Sequence, residues 1–98
     1  MTRYTMRVAF LLLAGSAIAD HRDQPINTAS ELRDWCKSES EASFIGRGLQ
    51  PSNWSASFWD EGNVLVAKGQ WRVDAAIVTV ECRVARGARA EYASMSIQ

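Results

Sequence analysis

The sequence predicts an α+β, two-layer sandwich: a signal peptide, then one N-terminal helix packed on a four-stranded antiparallel β-meander. Three observations carry this expectation. Apolar residues between 28 and 45 recur at helical spacing; beyond residue 50 the period changes to two; and four strand-like runs follow with connections too short for crossovers. A helix followed by strands, with no second helix, is the element order of a helix laid on one face of a sheet.

The chain opens with Arg3 and Arg7 ahead of an apolar run over residues 8–13, and small residues then lead to Ala17, Ile18 and Ala19. A basic, then apolar, then small-residue order is that of a secretory signal peptide with an A-x-A cleavage site. Residues 1–19 are therefore expected to be removed after Ala19. Spanning a bilayer takes about 20 apolar residues, so no stable membrane insertion is expected after cleavage. The expected location is periplasmic or secreted. Residues 20–27 are polar, contain Pro25 and lack periodicity, and read as a flexible mature N-terminus. Residues 28–98 remain as a single small domain, short enough that its core alone gives marginal stability and a covalent staple is expected.

The helix begins at Thr28, which stands three residues before Glu31 in the spacing of a capping box. Leu32, Trp35, Cys36 and Ser43 follow on one stripe, extended by Phe44 and Ile45, before Gly46 and Gly48 stop the helix. Serines weaken its intrinsic propensity, so the helix depends on docking.

The strand runs are NWSASFW, NVLVAKGQWRV, AIVTVECRV and EYASMSI. A two-residue turn at Asp74 and Ala75 sets Val73 against Ala76, Trp71 against Val78, Gly69 against Val80, Ala67 against Cys82 and Leu65 against Val84, all on one inner face. Lys68 and Glu81 then oppose each other on the outer face. A loop over 60–63 would set Phe58 against Leu65, Ala56 against Ala67 and Trp54 against Gly69, the last an aromatic covering a strand glycine. A turn near Arg86 and Gly87 would bring Ala93, Met95 and Ile97 to the inner face, with Arg89 and Glu91 turned inward at the edge.

Cys36 falls on the helix stripe and Cys82 on the face that stripe must cover, with Ala56, Ala67 and Gly69 leaving room for close approach. Two cysteines in an exported chain are expected to form one disulfide. Reactive alternatives lack partners. There is no paired C-x-x-C for a metal, and the only histidine, His21, lies in the polar tail, where no buried acid can orient it for a triad. Asp60 and Glu61 read as turn chemistry rather than paired catalytic acids. With no positioned base, nucleophile or metal set, no enzymatic activity and no cofactor are expected. Lys and Arg number 11 against 11 Asp and Glu, without a concentrated basic run, so nucleic acid is not an expected partner.

The outer sheet face is then the place to look for function. There Trp59 is expected to pair with Val64, beside Val66, with Glu81, Arg83 and Tyr92 around them: an apolar patch rimmed by charge, suited to a protein partner or to self-association. In element order alone, a helix on an antiparallel meander resembles cystatin-like small exported domains. No Q-x-V-x-G loop is present, so that resemblance assigns no residue a role. The expected function is that of an exported, non-enzymatic binding domain, of inhibitor or immunity type, acting through a sheet face or hairpin end. The alternative is a carrier holding a small apolar ligand between helix and sheet.

Overall fold

A computed structural model of the chain describes residues 22–98. The signal-peptide segment and His21 lie outside the described residues. One helix, α1 (Ala29–Gly46), packs on a four-stranded antiparallel sheet of β1 (Pro51–Glu61), β2 (Val64–Val73), β3 (Ala76–Ala85) and β4 (Ser94–Ile97), in the order β1-β2-β3-β4. The α+β meander read from the sequence is the observed fold.

Local chemistry sets the ends of α1. The Glu31 amide donates to Thr28 Oγ1 at 3.1 Å, and the Thr28 amide donates to Glu31 Oε1 at 3.0 Å, completing the capping box. At the other end Gly48 takes a left-handed φ of 81°. There the Leu49 amide donates to the Phe44 carbonyl and the Gly48 amide to that of Ile45, the paired bonds of a Schellman motif. The buried stripe is Ala29, Leu32, Cys36, Ser40 and Phe44. Ser40 thus takes the place expected of Ser43, because steps of four from Leu32 through Cys36 reach residue 40, and Ile45 is left exposed.

A buried serine needs partners, and Ser40 has them. Its Oγ donates to the Cys36 carbonyl at 2.6 Å and accepts from Trp71 Nε1 at 2.8 Å, tying helix to sheet through a fully buried polar bridge. Around it Leu32, Leu65, Ala67, Val80, Cys36 and Cys82 are fully buried and fill the space between the layers.

The β2–β3 register is the expected one throughout, from Val73 opposite Ala76 to Leu65 opposite Val84. The β1–β2 register differs by two residues: Phe58 pairs with Ala67, Ala56 with Gly69 and Glu61 with Val64. The loop is only Gly62 and Asn63, with Gly62 at φ 62°, so β1 runs on through Asp60 and Glu61. A slip of two preserves which face each side chain takes. Trp54 still covers Gly69, because a bulge between Ser52 and Ser55, with Asn53 at φ 57°, swings its ring over the glycine and to 4.9 Å from the Trp71 ring.

The end of the chain departs further from expectation. Residues 90–92 form a 3₁₀ turn rather than the start of a strand, and β4 is four residues long. Met95 and Ile97 reach the inner side as expected, opposite Cys82 and Val80. Arg89 and Glu91 instead pair with each other at 3.5 Å. The cause is the segment ahead of α1. Residues 24–26, expected to be loose, run against the β3–β4 connection through three backbone bonds: Ile26 N–H to Ala88 O, Gly87 N–H to Ile26 O and Ala90 N–H to Gln24 O. Ile26 and Ala90 are buried there. Pro25 lacks a donor and sits where an edge partner can spare one.

Candidate functional site

The sheet has two unlike faces. The inner one is covered by α1 and joined to it by the Cys36–Cys82 disulfide, whose Cα atoms are 6.0 Å apart. Both described cysteines are consumed in that bond, which points to an oxidising, extracytoplasmic location. Among the described residues, no group of three or more His, Cys, Asp or Glu is placed to hold a metal ion, and no helix is long and apolar enough to cross a membrane.

The outer face carries the expected patch in altered form. Trp59 pairs with Val66 rather than Val64, and Val66 in turn pairs with Arg83. Val66 is completely buried although, among the described residues, no second layer covers its face. It is therefore the floor beneath Trp59 and Arg83, not a contact residue. Val64, opposite Glu61 at the hairpin end, is half-buried.

Glu61 organises the patch. Trp59 Nε1 donates to Glu61 Oε2 at 2.9 Å, and Arg83 Nη1 lies 3.4 Å from Glu61 Oε1, while Arg83 Nε donates to Glu81 Oε2 at 3.1 Å. The indole hydrogen bond, and then the Arg83 charge, hold the Glu61 carboxyl below its ordinary range, and Glu81 followed by Glu61 raises the Arg83 guanidinium. Lys68 faces Glu81 across the ladder as expected, but it is Arg83 that bonds that carboxylate. Beside this row Ser55, Ser57, Lys68 and Gln70 line a shallow polar trough of about 350 Å³.

Tyr92 does not join the patch. It lies in the 3₁₀ turn, where Arg89 donates to its hydroxyl at 3.3 Å and stands over its ring. Two residues that do belong to this face are absent from the sequence-derived set. Glu61 was hidden by placing the turn at 60–63; the Gly62 and Asn63 pair, a two-residue hairpin signal, marks it as a strand residue on the side of Trp59. Ile77, 55 % exposed opposite Arg72, follows from the β2–β3 register.

The hairpin end is braced. Arg86 Nη2 donates to Asp60 Oδ2 at 2.7 Å and to the Gly62 carbonyl at 3.2 Å, and the Arg86 amide donates to Asn63 O. On the helix side, depressions of about 250 and 240 Å³ flank Trp35; Ile26 and Ala90, at the margin of the core, line the first and Ala90 the second, whereas Leu32, Cys36, Leu65, Val80 and Cys82 line neither. Compared with known proteins, the chain matches no family model, and no curated protein or solved structure matches it significantly.

Proposed function

We propose that the chain is an exported, non-enzymatic binding domain of inhibitor or immunity type, engaging a protein partner through the outer sheet face. The observation that carries this is the ordered Trp59, Glu61, Arg83 and Glu81 row on a face that no second layer covers among the described residues. An exposed indole and a guanidinium held in fixed geometry lose little entropy on binding, and Trp and Arg are the side chains that anchor interfaces most often. The polar trough beside the row offers hydrogen bonding for a rim.

Export is supported by the disulfide and by the order of parts in residues 1–19. A carrier of an apolar ligand would need an apolar cavity between helix and sheet, and that space is occupied by Leu32, Leu65, Trp71, Val80 and the disulfide. The filled core favours a surface over an enclosed site.

Affinity capture from the native cell envelope and medium, using the oxidised chain beside its Trp59→Ala and Arg83→Ala variants, tests the proposal. A protein partner whose affinity falls by roughly thirtyfold in either variant is the expected result. A partner retained equally by both folded variants, or a co-purifying lipid in place of a protein, would refute it.

A further inference from the structure

Trp59 and Glu61 of the outer patch belong to β1, and β1 has a second free surface, its edge. Among the described residues β1 is bonded only to β2, and it is the longest strand, at 11 residues. Edges of this length are usually blunted by lysine, proline, bulges or unpaired inward charge. The Ser52–Ser55 bulge disturbs only the start of β1. Beyond it, Ser55, Ala56, Ser57, Phe58 and Trp59 contain no charge and no proline. The charges that follow are already engaged: Asp60 by Arg86, and Glu61 by Trp59 and Arg83. The opposite edge, β4, has only four residues.

The two-residue hairpin makes Glu61 and Val64 the closing hydrogen-bonded pair. Alternation then turns the amides and carbonyls of Trp59, Ser57 and Ser55 toward β2, and those of Ala56, Phe58 and Asp60 outward. A second strand can therefore add only in a register that pairs even-numbered positions through their backbones.

We infer that β1 pairs antiparallel with β1 of a second copy of this chain, about a two-fold axis at Ser57, joining two four-stranded sheets into one of eight strands. The sequence of the edge is self-complementary in that register. Phe58 opposes Ala56 of the mate on the helix side, and Trp59 opposes Ser55 of the mate on the outer side, so each large side chain meets a small one. An axis at Phe58 would instead set the two phenylalanines against each other. Rotation also separates like charge: Asp60 and Glu61 of one copy fall opposite positions 54 and 53 of the other, Trp54 and Asn53, and not beside its acids. Phe58 is 40 % exposed and held from one side by the Arg33 guanidinium, 4.8 Å from its ring centre, which leaves its free side to the mate. A two-fold interface of this kind uses one patch twice and closes on itself, so it ends at a dimer.

Sedimentation of the oxidised full chain over rising concentration, with cysteine cross-linking, tests this. Ser57 is exposed, and at the axis it meets its own copy in a non-hydrogen-bonded pair, where side chains are closest. Ser57→Cys is expected to form a covalent dimer under mild oxidation while Ser96→Cys, on the opposite edge, does not; Cys36 and Cys82 are buried and do not interfere. Ser57→Lys is expected to weaken the dimer roughly fivefold by opposing like charges. A chain that stays monomeric at every concentration, or one that cross-links through Ser96 as readily as through Ser57, would overturn the inference. The outer-face proposal can stand or fall separately, since its readout is a different protein.

Discussion

At the residue scale, a few side chains carry contacts that their neighbours cannot replace. Among the described residues, Ser40 alone accepts the hydrogen bond of the buried Trp71 indole. Ser40→Ala strands that donor in the core, and a loss of about 1–3 kcal/mol in urea unfolding is expected. Gly69 lies under the Trp54 ring, which a methyl group would overlap. Gly69→Ala must therefore displace Trp54 from Trp71, at an expected cost of about 1–3 kcal/mol, with a changed near-ultraviolet tryptophan signal as the second readout. Glu61 gives the patch a pH dependence. Its pKa is depressed in the folded chain, so its bonds to Trp59 and Arg83 are fully present above the ordinary carboxylate value of 4.5 and are lost as pH falls through the lower folded value. A titration of the Trp59 indole N–H resonance should follow that acid step, while the buried Trp71 indole resonance should not.

At the scale of elements, turn chemistry decided what could be read from the sequence. The second hairpin was legible residue by residue, because Asp74 and Ala75 sit between two long alternating runs that fit only one register. The first was displaced by two residues, because four polar residues, Asp60 to Asn63, offered two loop lengths and the shorter one formed. Face assignments survived, since a shift of two leaves the alternation intact. The β3–β4 link was not legible, because its 3₁₀ turn depends on backbone bonds to residues 24–26, a contact between distant parts of the chain that no local pattern announces. The same gap accounts for Tyr92, assigned to the outer patch by extending a strand that starts only at Ser94. Asp74 holds φ at 56°, a region that disfavours side chains with a Cβ. Asp74→Gly should therefore raise stability by about 1 kcal/mol, read as a higher urea midpoint at unchanged slope.

At the scale of the whole molecule, the disulfide divides the protein into a structural side and an open side. It closes a loop of 46 residues between helix and sheet, worth about 4 kcal/mol in the chain-entropy model. Replacing both cysteines by alanine should lower unfolding free energy by about that amount, a large share of what a domain this small possesses. The cross-layer pairing was foreseeable because one stripe and one strand face each place a cysteine. The hub role of Glu61 was not, because it depends on where β1 ends. With the helix side given over to core, bridge and staple, the proposed place of contact with other molecules is the sheet side. Hydroxyl-radical footprinting of the tagged chain in its native extracytoplasmic fraction, set against the purified dilute chain, measures this directly. Protection of Trp59, with unchanged labelling of Ile45 and Trp35 on the helix side, is the predicted result; protection of Ile45 or Trp35, with Trp59 labelled as in the purified chain, would contradict it.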